Sequence, residues 1–347
     1  MEFVMQGIRE YIKRFGVLLL LLVVLSASII FAYPKLFLAV PPAPLTHIRL
    51  NQPSWPGFMI APLAEELGYM REEGIKIGYK EYPDKSVLNE VDIEPYDVRG
   101  MLAVDLVEEA RRIRPLGKIV IITDRSIGGD ALLVYPGAPS IQSSEKKTIT
   151  GDDSYPFFFP YVIDLLKGDM NSFVSDVSIT QEEVVDKITT GKVNYAMTYE
   201  PYLSLAISKG AVKVFSSKDA SGVVTDTLIF SNHIIEQHPQ LVQGFARAYM
   251  RAYNYWKANP KEAYRMVRKV FNRSPEEFAA QMKEVEMLGL SENNASMFSG
   301  IGLRSIYGNI RAVQVYENRK GPVIDVNVDA LVYPDPIRTL FQRLSEI

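Results

Sequence analysis

The sequence contains no cysteine, and it has only three histidines in 347 residues. A chain without cysteine cannot form disulfides, a thiolate nucleophile or a cysteine-ligated zinc site. The histidines do not follow the HExxH spacing of zinc enzymes, and the sequence has neither a GxSxG nucleophile elbow nor a GxxxxGK[ST] phosphate loop. We therefore expect no enzymatic activity, no catalytic residues, no metal site and no cofactor.

An excess of positive charge is also lacking, because 38 Lys and Arg residues stand against 41 Asp and Glu residues. Nucleic-acid binding depends on clustered cationic side chains, so nucleic acid is not an expected partner. Hydrophobic residues make up 47% of the chain, which is long enough for two domain-sized cores.

One long hydrophobic run, FGVLLLLLVVLSASIIFA, lies near the N-terminus. With the residue that follows, it spans residues 15–33 without a charge, near the lower limit for crossing a hydrocarbon core of roughly 30 Å. Residues 1–14 carry basic side chains, and such flanks stay on the cytoplasmic side of a membrane. The pattern predicts a single-pass anchor in the cell membrane that places the folded part outside the cytoplasm, in the periplasm or at the outer cell surface.

A cleaved signal peptide is the alternative for the same run, with Ser26–Ser28 as the small residues before a cleavage site. The run exceeds the roughly 7 to 15 apolar residues of a signal-peptide core, which favours retention. The proline-rich residues 34–45 are predicted to form a short, stiff tether to the folded part.

After the tether, short β-like runs alternate with helical segments, which predicts an α/β fold with mainly parallel sheets. Two apolar runs, ALLVY and TLIF, could carry the chain between two units. The first lobe would then be discontinuous, formed by residues 46–128 and 229–347, while residues 129–228 form the second lobe. Interfaces between such units are favoured places for a ligand cleft.

The stretch SIGGD lies at the predicted first crossing, directly before ALLVY. Gly128 and Gly129 lack a Cβ, so their backbone can approach a ligand closely, and Ser126 and Asp130 flank them with polar groups. A simple turn between two strands is the alternative interpretation.

Three carboxylates occupy comparable places at the ends of predicted strands. Glu200 ends a strand directly before the helix that Pro201 opens, and Asp130 and Asp226 lie at the two crossings. Carboxylates around one cleft would suit an ammonium group or several hydroxyl donors better than a bare anion. Glu200 could equally be a solvated loop residue.

The remaining candidate ligand contacts come from other segments. Asp153, Ser154 and Tyr155 precede an aromatic helix, whose free amides could hold an anionic group, although Asp153 could simply cap that helix. Trp55 follows the first strand and could stack on a ligand or serve as half-buried packing. The candidate set is completed by Met101 and Thr225.

The order of these motifs resembles the bacterial ABC-transporter solute-binding proteins of the nitrate, aliphatic-sulfonate and taurine group. The resemblance runs from WPGF and APLAEELG through SIGGD, TYEPY and DTLIF to the helical EQHPQLVQGFARAYMRAYNYWKANPKEA and SPEEF, over roughly residues 46 to 300. It implies a two-lobed, type II periplasmic-binding-protein fold with two crossing strands. In that group the residues that line the cleft match Trp55, Ser126, Gly129, Asp130, Ser154 and Glu200, with Asp226 at the second crossing.

The resemblance implies a receptor that closes on a small polar organic ion and delivers it to an ABC permease with its ATPase. Sulfonates, taurine, nitrate and amine-bearing molecules are the candidate ligands. The alternative is a membrane-anchored sensing or accessory module with the same fold and no transport role. Residues 305–347 match nothing in the family, so the partner and the ligand stay open.

Overall fold

The computed structural model places the chain in two units, Met1–Pro44 and Leu45–Ile347. The described residues are 15–17, 45–52, 55–79, 96–112, 115, 117–151, 158–177, 180–318, 323 and 325–345. Residues 15–17 are helical, while the rest of the predicted anchor, its basic flank and the tether up to residue 44 lie outside the described residues. Within the described ranges, no helix has the length and apolar character needed to span a membrane.

The described part of Leu45–Ile347 contains eleven strands, of which several match the predicted β-like runs. They are β1 Thr46–Asn51, β2 Ile75–Tyr79, β3 Val98–Leu102, β4 Gly117–Ser126, β5 Asp130–Val134, β6 Lys147–Gly151, β7 Phe173–Val177, β8 Tyr195–Tyr199, β9 Val212–Ser216, β10 Thr225–Ser231 and β11 Val285–Met287.

The same part of the chain contains thirteen α-helices. They are α1 Ile60–Glu66, α2 Tyr69–Glu72, α3 Ala103–Arg112, α4 Phe158–Leu165, α5 Gln181–Thr189, α6 Tyr202–Ser208, α7 Asn232–Gln237, α8 Pro239–Ala258, α9 Pro260–Phe271, α10 Pro275–Gln281, α11 Leu290–Phe298, α12 Ile306–Glu317 and α13 Asp335–Ser345.

The strands form two sheets, and each sheet with its helices forms a lobe. The first sheet has the order β11-β4-β10-β3-β1-β2, and the second has the order β7-β6-β8-β5-β9. β4 is buried along nearly its whole length because β10 and β11 pair with its two edges, which explains its continuous apolar run. The predicted two-lobed α/β architecture is confirmed.

The prediction of mainly parallel sheets holds for the direction of most strands, but both sheets are mixed, because β10 and β11 in the first sheet and β5 in the second run against the others. β10 runs antiparallel to β3 and β4, and β5 runs antiparallel to β8 and β9. The chain leaves the first lobe at one end of β4 and returns at that same end as β10, so β10 must run in the opposite direction. Parallel pairing remains between β1 and its neighbours and between β6 and its neighbours.

The crossings also differ from the predicted ones. The first four residues of ALLVY lie in the second sheet and TLIF lies in the first, so the connecting segments are residues 127–129 and 217–224. The predicted lobe boundary at residue 228 therefore falls inside β10. An apolar run identifies a buried strand, but it does not say to which of two sheets the strand belongs.

The described residues after Ser305 pack into the first lobe. α12 packs against α3, and α13 packs against α8 and α11. Before α13, the backbone N–H of Tyr333 donates to the carbonyl oxygen of Ile119 on β4 at 2.8 Å, within a short parallel bridge. The C-terminal segment is therefore tied to β4 of the first sheet.

Candidate functional site

The two crossings bring one edge of each sheet together. On the first sheet this edge is formed by the carboxyl ends of β1, β3 and β4 and the amino end of β10. On the second it is formed by the carboxyl ends of β6, β8 and β9 and the amino end of β5. Ligands of α/β proteins bind at the carboxyl ends of strands, so this cleft between the lobes is the candidate site.

The hydroxyl group of Ser217 and a backbone hydrogen bond from the Ser126 N–H to the Val224 carbonyl oxygen join the two crossings. Ser217 Oγ, on the second crossing, shares a hydrogen bond of 2.7 Å with Ser126 Oγ and accepts one of 2.8 Å from the Gly128 N–H. Gly128 has a φ of +142°, and a Cβ there would lie 2.0 Å from Glu284 Oε2. The first glycine of SIGGD is therefore favoured by its backbone conformation, and a side chain there would also displace the carboxylate of Glu284.

Trp55 links the two lobes across the cleft. Its indole Nε1–H donates to Asp124 Oδ1 at 2.9 Å, and its ring packs edge-on against Tyr199 of the second lobe at 6.3 Å. A Cβ at Gly129 would lie 2.8 Å from the Trp55 ring, so the second glycine of SIGGD makes room for the indole. Gly129 thus contributes to the site by the absence of a side chain.

Asp124 is a site residue that the sequence interpretation missed. It stands directly opposite Asp226 on β4 and β10, and the two carboxyl groups hydrogen-bond to each other. Asp124 is fully buried and also accepts a hydrogen bond of 2.8 Å from Thr123 Oγ1. A charged residue closing the apolar run GKIVIIT was the available signal, because such a run belongs to a buried strand.

Burial and mutual repulsion keep part of this acidic group protonated. Burial raises the pKa of Asp124 to about 6, with a further contribution from Asp130. Burial and the charges of Asp124 and Asp130 raise the pKa of Asp226 well above its ordinary value. Asp226 therefore retains a proton and donates it to Asp124, as in other pairs of adjacent carboxyl groups.

The raised pKa values predict how stability depends on pH. At Asp124 the folded state binds a proton that the unfolded chain has already released, so the contribution of Asp124 to the free energy of unfolding is lost as pH rises from about 4 to 6. For the Asp124 pKa, a rise from 3.8 to about 6 corresponds to on the order of 3 kcal/mol. In Asp124→Asn, urea unfolding at a series of pH values should show a much smaller fall. An unchanged fall would show that this pair does not hold the proton.

Glu200 occupies the predicted place but has an intramolecular partner. Its carboxylate accepts hydrogen bonds from the Ser204 N–H at 3.2 Å and from Ser204 Oγ at 2.8 Å, in the first turn of α6. Its backbone N–H donates to the Gly129 carbonyl oxygen at 2.9 Å, which ties β8 to the first crossing. The carboxylate is buried rather than solvated, and its contact with a ligand stays a prediction.

The other candidate residues divide into three groups. Thr225 is buried, and its hydroxyl donates to the Gly222 carbonyl oxygen at 2.8 Å, inside the second crossing. Met101 is half-buried at the end of β3, where its carbonyl oxygen accepts from Thr227 Oγ1 at 2.9 Å. Asp153, Ser154 and Tyr155 lie outside the described residues.

Arg273 is a second residue that the sequence interpretation missed. It lies in the turn between α9 and α10, where burial lowers its pKa and the hydroxyl groups of Tyr202 and Tyr199 act on its charge. A cation of the first lobe thus approaches the aromatic residues of the second. No local motif marks this position, because only the folded chain brings the turn to the cleft.

Two α/β lobes, two crossings and a cleft at the facing sheet edges define a periplasmic-binding-protein-like fold. Three solved structures share it. The aliphatic sulphonate-binding protein SsuA from Escherichia coli matches with a TM-score of 0.62 and 12% identity, over 83% of this chain and 92% of that one. The nitrate-binding protein NrtA from Synechocystis gives 0.64 and 13%, over 86% and 89%. The desulfurization enzyme DSZB gives 0.58 and 11%, over 85% and 99%.

The family follows from the sequence. The family model described as "NMT1/THI5 like" matches residues 55–263, more than half of the chain, which therefore belongs to this family. No curated protein matches the chain in sequence. The resemblance to sulfonate- and nitrate-binding proteins is confirmed at the level of family and fold.

Proposed function

We propose that this protein is the extracytoplasmic solute-binding component of an ABC importer. The observation that carries the proposal is the cleft, in which a tryptophan of one lobe meets a tyrosine of the other beside buried carboxyl groups. The proposal is supported by the fold shared with the sulphonate-binding protein SsuA and the nitrate-binding protein NrtA. The ligand would be a small polar organic ion, held without chemical change and passed to a permease and its ATPase.

Hinge closure is the proposed mode of binding. Residues 127–129 and 217–224 are the only connections between the sheets along the described backbone, so rotation about them would open and close the cleft. Trp55 and Tyr199, which face each other from different lobes, would enclose the ligand when the lobes approach. The predicted contacts Ser126, Gly128, Gly129, Asp130, Glu200 and Asp226 surround the same crossings.

Membrane attachment is part of the proposal. Residues 15–33 would anchor the protein as a single-pass helix and hold the folded lobes outside the cytoplasm, close to the permease. The mass of the protein purified from membranes tests this, since loss of an N-terminal segment would show a cleaved signal instead.

Tryptophan fluorescence provides a direct test, because the chain contains two tryptophans, Trp55 and Trp256. We expect ligands found among sulfonates, nitrate, taurine and other amines to change the emission and to raise the melting temperature of the full-length protein. Saturation at a hundred times Kd adds about 2.7 kcal/mol to the free energy of unfolding. Trp55→Phe should abolish the emission change and lower affinity at least about tenfold, because Asp124 loses its donor.

Trp256→Phe is the matched control, because Trp256 packs against Tyr253 on α8 rather than against the second lobe. It should keep both the emission change and the affinity. If no compound of this panel shifts either the emission or the melting temperature, the proposal loses its support.

A further inference from the structure

The polar centre of the cleft is strongly acidic. Asp124, Asp130 and Asp226 are each at most 6% exposed. Among the described residues, the charged groups that act on Asp226 are Asp124, Asp130 and Asp105, all of them negative. Buried carboxylates are destabilising unless a cation or hydrogen-bond donors face them.

Two further buried atoms of the first lobe have unused hydrogen-bonding capacity, and one of them lies near this centre. The fully buried hydroxyl of Tyr249, on α8, has no hydrogen-bond partner, and the charge of Asp124 acts on it, so the two groups lie within electrostatic range. Gln52 follows β1 beside Gly100 and Phe58, and its buried side-chain oxygen also has no donor. A buried hydroxyl without a hydrogen-bond partner, within electrostatic range of a carboxylate, is an independent sign of a missing polar group.

We propose that the ligand presents a protonated amine to Asp130 and Asp226. The inference rests on the proposed function and narrows it to a ligand class. An ammonium group supplies three donors and one positive charge, which match a pair of carboxylates that repel each other. Asp124 acts behind this pair as a positioning residue, because it holds the indole N–H of Trp55.

The ammonium group of the ligand would displace the proton that Asp124 and Asp226 share in the unbound protein. When the ammonium binds, Asp226 releases its proton to solvent, and the ligand's own N–H groups replace it as donors to the carboxylates. Charge is conserved, because one proton leaves while one cation enters. A sulfonate or nitrate without an amine would instead meet the negative charge of these aspartates and would bind poorly.

An anionic second group on the ligand would meet a different part of the cleft. Arg273 lies in the electrostatic field of Tyr199 and Tyr202, and Tyr199 is in turn packed against Trp55. A zwitterion could thus place its amine at the aspartates and its anion toward the arginine. The amine is the part of the ligand that the proposal requires.

Three two-carbon compounds separate the head groups: ethylamine has the amine alone, ethanesulfonate the sulfonate alone, and taurine both. We expect ethylamine, taurine or other members of a panel of primary amines to raise the melting temperature of the full-length protein, and ethanesulfonate and nitrate to have no effect. For an amine that binds, Asp130→Asn and Asp226→Asn should each lower the affinity at least tenfold. Asp164→Asn, an exposed carboxylate on α4, is the matched control and should bind normally.

Calorimetry measures the protons released on binding, and this number would not change if Asp226 had a purely structural role. In buffers of different ionisation enthalpy, amine binding to the wild type should release protons, and Asp226→Asn should abolish that release. Circular dichroism verifies that each variant is folded, and Asp130→Asn keeps the test decisive if Asp226→Asn is unfolded.

The outcomes distinguish this inference from the function on which it rests. Binding of ethanesulfonate or nitrate with affinity unaffected by the aspartate variants would overturn the amine and leave the transport proposal standing. Stabilisation by divalent metal ions but by no amine would also overturn it. Absence of a shift with every amine and every anion would overturn both.

Discussion

Replacing Gly222 by alanine is expected to destabilise the protein by about 2 to 4 kcal/mol, measured by urea unfolding. Gly222 lies in the second crossing with a φ of +93°, and a Cβ there would lie 2.6 Å from the Leu303 carbonyl oxygen. The backbone around it is fixed, since Asn309 Nδ2 donates to the Gly222 carbonyl oxygen at 2.6 Å and to that of Val223 at 3.3 Å. The methyl group therefore pushes the second crossing away from Leu303.

Gly210→Ala is the matched control for this substitution. Gly210 has a similar φ of +102°, but nothing lies within 4 Å of the position of its Cβ. Both variants carry the conformational penalty, so the difference between them, about 1 to 3 kcal/mol, isolates the contact with the C-terminal segment. Equal losses in the two variants would show that the second crossing is not held by residues 302–309.

Gly57→Ala is expected to lower ligand affinity more than Trp55→Phe does. The expected loss is at least about a hundredfold for any ligand that quenches or shifts Trp55 emission. A Cβ at Gly57 would lie 1.9 Å from Asp124 Oδ2. That carboxyl group cannot turn away easily, because Trp55, Thr123 and Asp226 all hydrogen-bond to it. Displacing it would move the indole and break the carboxyl pair together.

Gly78→Ala serves as the control for Gly57→Ala, since the nearest atom to its Cβ position is 3.9 Å away and its φ is ordinary. This variant should bind ligand as the wild type does. Titration of the emission and of the melting temperature measures both variants. Normal affinity in Gly57→Ala would contradict the role of Asp124 in placing Trp55.

The sequence predicts the fold of this chain better than its connections. Alternating β-like and helical segments indicate two α/β lobes, because local hydrophobic periodicity is a property of each element. The direction of β10 and the true crossings depend on where the chain returns, which no local pattern records. β11 is three residues long within a helix-rich region, so pairing with β4 rather than propensity makes it a strand.

The candidate site likewise contains residues that local patterns indicate and residues that only the folded chain brings together. Trp55, Asp130 and Asp226 are found from motifs, because each follows or precedes an apolar run at a strand end. Asp124 pairs with Asp226 only through the register of β4 and β10, and Arg273 reaches the cleft only through the packing of α9 and α10. Glu200 lies at the predicted place, but the sequence did not indicate that Ser204 of the following helix binds its carboxylate.

The hydroxyl of Ser217 has a mechanical consequence. It forms hydrogen bonds of 2.7 Å with Ser126 Oγ and of 2.8 Å with the Gly128 N–H, so this one side chain links residues 217–224 to residues 127–129. The Ser126 N–H also donates to the Val224 carbonyl oxygen at 3.1 Å, so rotation of the lobes would strain both connections together. Substitutions at the rim of the cleft can then alter which solute is held while the opening motion stays the same.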